Sequence, residues 1–176
     1  MSETPPLSRG IFLWGLFKDM ALALGVTVAA FFIWSVLGSS QVVTSGEAPP
    51  FTLPDLNGEQ VSLEAFSTGP VVLNFWFTQC GPCRHEIPEL SRFQDAHPDV
   101  PVLGVSVDQQ MSAERLATQS EHLGVRYSVL HDPKGRVAEA YGVSVFPTTF
   151  ILRDGQIERV RQGTVTQERL EKWTGR

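Results

Sequence analysis

The stretch FWFTQCGPC, residues 75–83, decides the fold that the sequence predicts. It contains Cys80 and Cys83, the two cysteines of the chain, at the end of an apolar run. That run is rich in Val, Leu and aromatic residues, which indicates a buried strand. Residues 84–96 carry apolar residues at helical spacing, and Pro82 suits a first helical turn, where no N–H is needed. The cysteines are therefore expected where a strand leads into the N-terminus of a helix.

This position favours reactivity of the first cysteine. Two cysteines three residues apart in one helical turn can approach closely enough for a disulfide. The free N–H groups and the positive end of the helix dipole stabilise a thiolate. Cys80, at the helix start and nearer to solvent, is the predicted nucleophile, and Cys83, one turn deeper, is the predicted resolving thiol. The pattern predicts reversible thiol–disulfide exchange.

Three other interpretations of the cysteine pair are weaker. A structural zinc site needs four ligands, but the chain has no second cysteine pair, and its histidines His85, His97, His122 and His131 lack ligand spacing. A static structural disulfide would close so short a loop that it would add little through chain entropy. Two unrelated core cysteines are the third alternative. The sequence favours redox chemistry of the cysteine pair over these three alternatives.

An uncharged apolar segment lies near the N-terminus. Residues 20–37, MALALGVTVAAFFIWSVL, carry no charged side chain, and as a helix they would span about 27 Å, close to the roughly 30 Å of a bilayer core. Arg9 and Lys18 precede this segment, whereas the first charges beyond it are acidic. The positive-inside rule then predicts a cytoplasmic N-terminus and a single pass through the cytoplasmic (inner) membrane. A cleaved signal peptide and a core helix of a soluble domain are the alternatives.

Length and charge limit the remaining possibilities. The 176 residues accommodate one ordinary domain and a further segment. A formal net charge of −5 argues against a nucleic-acid partner. Because an anchor and a cleaved signal peptide would both export the rest of the chain, we predict a periplasmic or otherwise extracytoplasmic domain, in an oxidising compartment. The predicted boundaries are a cytoplasmic segment at 1–19, a transmembrane anchor at 20–38, a linker at 39–50 and the folded domain at 51–176.

Strand and helix patterns alternate through that domain. Asn57-Gly58, between two short strand patterns, predicts a β-hairpin ahead of the cysteine-bearing strand. The strands predicted after the cysteines cover 102–107, 127–130, 148–152 and 156–161. The helices predicted among them cover about 112–123, 137–141 and 166–173. This order predicts an α/β domain whose central mixed sheet is flanked by helices.

Seven short stretches carry a specific resemblance. They are APPFTLPD at 48–55, LNFW at 73–76, CGPCRHEIPEL at 80–90, GVSVD at 104–108, DP at 132–133, YGV at 141–143 and FPTTF at 146–150. With them the chain, over roughly 47–173, resembles the membrane-anchored TlpA/ResA-type thiol–disulfide oxidoreductases of the thioredoxin superfamily. The resemblance implies a thioredoxin fold with an N-terminal β-hairpin extension and an enzyme that needs no cofactor.

The resemblance also implies roles for individual residues. Pro147 matches the proline that is cis in this superfamily and faces the cysteines, where a substrate strand can pair with the backbone. Glu86 matches an acidic residue near the cysteines; if buried, its pKa would rise and it could exchange protons. A solvated helix carboxylate is the alternative for Glu86. Catalytic roles are thus expected for Cys80, Cys83, Glu86 and Pro147.

Several positions depart from the pattern. Asn74 stands where thioredoxin has a buried Asp, so the general-base role is expected either to be vacant or to move to Glu86 through water. Gln79 replaces the Trp that commonly precedes the first cysteine, and Phe146 is bulkier than the Thr or Ile common before the proline. The residues expected to contact substrate are Gly81, Pro82, Phe146, Gln79 and Trp76, and a core position is the alternative for Trp76.

The implied function is reduction of disulfides in extracytoplasmic proteins, such as apocytochrome c or a metal-centre assembly protein. A membrane electron donor of the DsbD/CcdA type would regenerate the dithiol. Three alternatives stay open: a protein disulfide oxidant, a peroxiredoxin-like peroxidase and a copper-binding thiol module. Peroxiredoxins have a Thr where this chain has Phe77. A copper module would use Cys80 and Cys83 as soft ligands.

Overall fold

A computed structural model describes residues 9–37 and 41–176, and the chain divides into two compact units, Met1–Ser39 and Ser40–Arg176. In the first unit, helix α1 spans Arg9–Leu37, with side chains described for residues 19–33, all of them exposed. Among the residues that the structure describes, no helix is both long enough and apolar enough to span a membrane. The predicted anchor at 20–38 extends beyond the described side chains.

The second unit is built on a six-stranded mixed sheet with the strand order β1-β8-β7-β4-β5-β6. Its strands are β1 (Gly46–Glu47), β4 (Pro70–Trp76), β5 (Val102–Ser106), β6 (Ser128–His131), β7 (Thr148–Arg153) and β8 (Gln156–Gln162). Strands β4, β5 and β6 are parallel to one another, whereas β7 and β8 run antiparallel to their neighbours. The predicted mixed sheet is confirmed.

Helices and a separate hairpin complete this unit. The helices are α2 (Gly81–Ala96), α3 (Ala113–His122), α4 (Arg136–Ala140) and α5 (Gln167–Thr174). The predicted hairpin forms from β2 (Thr52–Pro54) and β3 (Gln60–Ser62), and a 3₁₀ turn follows at Leu63–Phe66. Ser112 and Thr166 cap α3 and α5 as the sequence predicts, because their hydroxyls accept hydrogen bonds from free N–H groups of the first turn.

Alternate residues of β4 pack into cores on the two faces of the sheet. Leu73 and Phe75 join one core, where Phe75 lies 5.3 Å from Tyr141 and 5.7 Å from Phe150, measured between ring centroids. Val72 and Trp76 pack on the other face, beneath α2. Because side chains alternate along a strand, Asn74 points to the α2 face as well. The strand thereby delivers a polar side chain beneath the cysteine-bearing helix.

Residues 41–50 of the predicted linker belong to the second unit, and some of them pair or pack with its sheet. Strand β1 pairs with the edge strand β8, and Ala48 is buried. The Val43 N–H donates a hydrogen bond to the Tyr141 carbonyl at 3.1 Å. The sequence does not reveal this packing, because a two-residue strand has no periodicity; it forms because an edge strand presents unpaired N–H and C=O groups.

Candidate active site

Cys80 and Cys83 are joined by a disulfide at the start of α2. Cys80 is the N-cap of that helix, and the Cys83 N–H donates a hydrogen bond to Cys80 Sγ at 3.2 Å. A helix N-terminus directs its free N–H groups and the positive end of its dipole at this sulfur. When the disulfide is reduced, the same groups will favour a thiolate at Cys80 over one at Cys83.

The two sulfurs differ in their access to solvent. Cys80 is 6% exposed and Cys83 only 1% exposed, in the order that the sequence predicts. Gln79, Gly81 and Pro82, which flank Cys80 in the sequence, are exposed. Three of the residues expected to contact substrate therefore lie at the surface beside the disulfide.

The loop before β7 carries the predicted proline. The Phe146–Pro147 peptide bond is cis, as the resemblance implies, and Pro147 is buried. Phe146 is half-buried and packs edge-to-face on Phe77, with 5.4 Å between ring centroids. It also packs against the apolar cluster that contains both cysteines. The structure thus brings this loop and the disulfide together from distant parts of the sequence.

Trp76 does not reach this surface. It is 1% exposed and packs in the same apolar cluster as the two cysteines. The reason is its place on β4, whose even-numbered side chains point beneath α2. Trp76 is therefore too deeply buried to contact a substrate at the surface. It occupies a core position, which was the alternative predicted from the sequence.

Glu86 is a buried carboxyl group, only 1% exposed, on the inner face of α2. It accepts hydrogen bonds from the Asn74 side-chain amide at 2.9 Å and from the Val165 N–H at 2.8 Å. Loss of water outweighs these bonds and raises the pKa of Glu86 from 4.5 to about 7. The alternative of a solvated helix carboxylate is excluded, and Glu86 can hold or release a proton near neutral pH.

A second acid fixes the turn that precedes Cys80. Asp108 accepts hydrogen bonds from the Thr78 N–H at 2.9 Å and the Thr78 hydroxyl at 2.7 Å, and the Ser106 hydroxyl donates a third at 2.8 Å. The Arg84 Nε–H donates to the Thr78 carbonyl at 2.7 Å. Sequence reasoning missed these roles. The available signals were the position of Asp108 just after a buried strand and its place in the GVSVD stretch, but Thr78, which it holds, is 30 residues away in the sequence.

The comparisons with known proteins agree with this geometry. Residues 44–160 match the AhpC/TSA family. The chain belongs to this family. Within the AhpC/TSA family it is 32% identical over 154 residues to the thiol-disulfide oxidoreductase ResA of Geobacillus thermodenitrificans, covering 85% of each chain. It is also 32% identical over 165 residues to ResA of Bacillus subtilis, covering 90% of this chain and 88% of that one.

Solved structures give the same relationship. The crystal structure of StoA from Bacillus subtilis superposes with a TM-score of 0.63 at 28% identity, covering 72% of this chain and 97% of that chain. The resemblance to ResA-type proteins and the thioredoxin-like fold are confirmed. This member of the AhpC/TSA family is an enzyme of the thiol–disulfide oxidoreductase class.

Proposed function

We propose that this protein reduces disulfide bonds of extracytoplasmic proteins through a dithiol–disulfide cycle of Cys80 and Cys83. The observation that carries the proposal is the disulfide at the N-terminus of α2, with the more accessible sulfur as the helix N-cap. The carboxyl group of Glu86, about one turn after Cys83 on the same helix, is buried, and burial raises its pKa to about 7. A nucleophile, a resolving thiol and a proton acceptor are thus available on one helix.

The cycle transfers two electrons and two protons. The Cys80 thiolate attacks one sulfur of the target disulfide, forming a mixed disulfide and releasing the other target sulfur as a thiolate, which takes up a proton. Cys83 then loses its proton and attacks Cys80 Sγ. The bond between Cys80 and the target breaks, the second target thiolate is protonated, and the Cys80–Cys83 disulfide is formed. The target is reduced and the enzyme is oxidised.

Glu86 is the proposed acceptor of the Cys83 proton, directly or through water. A general base is most effective when its pKa lies near the working pH. A carboxyl group with a pKa of about 7 satisfies that condition, whereas an ordinary one at 4.5 is too weak a base. Asn74, which occupies the position of the thioredoxin acid, is a hydrogen-bond donor to Glu86 in this arrangement.

The proposed substrate surface surrounds Cys80. Exposed Gln79, Gly81 and Pro82 form one side of it, and half-buried Phe146 together with the backbone at Pro147 forms the other. An extended segment of the target protein can pair with free backbone groups there while its disulfide meets Cys80. We expect backbone pairing at Pro147 to contribute to the choice of target.

The proposed location is the outer side of the cytoplasmic membrane, with the segment at 20–38 as a single-pass anchor. The 18 uncharged residues at 20–37 support it, as does the basic-to-acidic change across them. A reductant outside the cytoplasm needs a supply of electrons, for which a membrane dithiol donor of the DsbD/CcdA type is proposed. Apocytochrome c and metal-centre assembly proteins are the proposed targets.

Trapping of the mixed disulfide tests this function. A Cys83→Ser variant cannot resolve the bond between Cys80 and its target, so we expect it to accumulate as a disulfide-linked complex with a model substrate such as a thiol-reducible apocytochrome c peptide. The matched Cys80→Ser variant should form at most a few per cent of that complex. Equal trapping by both variants, or trapping by neither, would contradict the assignment of the nucleophile.

The direction of electron flow and the peroxidase alternative need a separate assay. The dithiol form should reduce insulin or the apocytochrome c peptide faster than its disulfide form oxidises a reduced peptide. Consumption of hydrogen peroxide by the dithiol form at a comparable rate would favour the peroxidase. Faster oxidation than reduction would favour the disulfide oxidant.

A further inference from the structure

The ring of Tyr127 packs against strand β5 at Gly104. Gly104 of β5 is the register partner of Asn74 on β4. A side chain at Gly104 would meet the Tyr127 ring, because an added Cβ would lie 2.6 Å from Tyr127 Cε2. The tyrosine ring thus occupies the space that a β5 side chain would fill, next to the asparagine that binds Glu86. Gly104 is required in this strand because the ring approaches its backbone.

Trp76 flanks the same point from β4. The position of an added Gly104 Cβ lies 3.1 Å from Trp76 Nε1. Neither the Trp76 Nε1–H nor the Tyr127 hydroxyl, both buried, has a hydrogen-bond partner among the residues that the structure describes. Buried polar groups are nearly always hydrogen-bonded, so two such groups beside one backbone position need a common explanation. Both can donate a hydrogen bond, and the indole N–H can do nothing else.

We propose that Trp76 Nε1–H and the Tyr127 hydroxyl together bind one buried water molecule, and that this water donates a hydrogen bond to the Glu86 carboxylate. The water would accept from the indole and the phenol and donate to the acid, which gives it three partners, the usual number for an internal water. Tyr127 is then a positioning residue for the proton acceptor of the proposed function, on which this inference rests.

Electrostatics and access support this site. Burial raises the pKa of Tyr127, and the nearby Glu86 charge raises it further, so the two side chains lie within electrostatic range. Tyr127 also lines a surface cavity of about 530 Å³, together with Asp55, Gln94 and Arg126. Tyr127 thus borders a cavity at the surface.

The other groups around Glu86 leave room for this bond. Asn74 on β4 and the Val165 N–H before α5 each donate to one carboxylate oxygen. The Thr149 hydroxyl on β7, which accepts from the Asn74 amide, also acts on Glu86 and lowers the pKa of its carboxyl group. On α2 itself, Glu89 accepts from the Gln167 N–H and pairs with Arg92, and the two cysteines are joined to each other. Each oxygen of Glu86 has a second lone pair, so it can accept from the water.

A conservative substitution tests the site. Tyr127→Phe keeps the ring and removes the hydroxyl, so the ionised Glu86 loses the support of the water. We expect the titration midpoint of the Glu86 carboxyl, followed by its ¹³C chemical shift in the full-length disulfide form, to rise by about one pH unit. Tyr141→Phe is the matched control: that hydroxyl donates to the Pro49 carbonyl at 3.0 Å, in the core on the other face. It should lower stability and leave the midpoint unchanged.

Two outcomes would overturn the proposal: an unchanged or lowered midpoint in Tyr127→Phe, or an equal rise in Tyr141→Phe. If Tyr127→Phe does not fold, the water site can be tested in the wild-type protein. A nuclear Overhauser effect between the Trp76 indole proton and a long-lived water is expected, and its absence would refute the site. These readouts are independent of activity, so a failed trapping experiment would refute the proposed function and leave the water site standing.

Discussion

The side-chain amide of Asn74 donates a hydrogen bond of 2.9 Å to Oε2 of Glu86 beneath the cysteine-bearing helix. The same amide donates to the Thr149 hydroxyl, also at 2.9 Å. Both protons of the Asn74 amide are therefore donated in hydrogen bonds. The bond to Glu86 stabilises the ionised carboxylate without adding a charge. Desolvation still dominates, because the pKa of Glu86 is raised and not lowered.

Glu86 should make stability depend on pH. Its pKa is about 7 in the folded protein and 4.5 ordinarily, so between these values the folded state binds more protons than the unfolded state. The contribution of Glu86 to the free energy of unfolding is fully present below pH 4.5 and is lost as the pH rises through about 7. Glu86→Gln lacks this titration. The free energy of unfolding of the variant, relative to that of the wild type, should therefore rise by roughly 3 kcal/mol between pH 4.5 and pH 8, measured by urea unfolding of the disulfide form. A difference that stays constant with pH would contradict the burial argument.

Asn74→Asp should create a pair of competing carboxyl groups. The new acid would replace the donor that now binds Glu86, and two carboxylates in contact cannot both ionise easily. We expect the pair to titrate in two steps, followed by carboxyl ¹³C shifts. Its loss of stability should grow as pH rises from 4 to 8, to roughly 3 kcal/mol or more. Asn74→Ala is the control, because it removes the same hydrogen bonds without adding a charge; an identical pH dependence in both variants would contradict the prediction.

Asp108→Asn should loosen the turn before Cys80. An amide cannot accept from the Thr78 N–H, the Thr78 hydroxyl and Ser106 as the carboxylate does. We expect a loss of about 2 kcal/mol and faster hydrogen exchange at the Thr78 amide. Asp95→Asn makes the same chemical change in a half-exposed pair with Arg126 and should cost less than about 0.5 kcal/mol. Equal effects would mean that Asp108 does not hold the turn.

Gly142→Ala should test the packing of residues 41–43. Gly142 has a φ of +65°, and an added Cβ would lie 2.1 Å from the Gln41 carbonyl oxygen. Gly135 has nearly the same φ, +64°, but its nearest contact is 4.0 Å away. Gly135→Ala should therefore cost about 1 kcal/mol through backbone strain alone, and Gly142→Ala about 3 kcal/mol or more. Thermal unfolding measures both, and equal costs would show that residues 41–43 do not pack there.

Much of the fold follows from local sequence patterns. The Asn57-Gly58 turn, the apolar strand ending at Trp76 and the capping residues Ser112 and Thr166 each act within a few residues, so their elements are predictable. The two cysteines are equally local, because one helical turn brings them together. Strand β1 was not predictable, since its two residues gain their structure only from the unpaired edge of β8.

The sequence by itself determined the disulfide and its place at a helix N-terminus, because spacing along one chain segment fixes both. Only the tertiary structure decided that Glu86 is buried, that Asn74 binds it and that Tyr127 packs against Gly104, the register partner of Asn74. These residues come from different strands and helices, and their pKa values and hydrogen bonds depend on which side chains the packed sheet brings within a few ångströms. The desolvation of Glu86 arises only when these elements pack together, so it cannot be predicted from any short stretch of sequence.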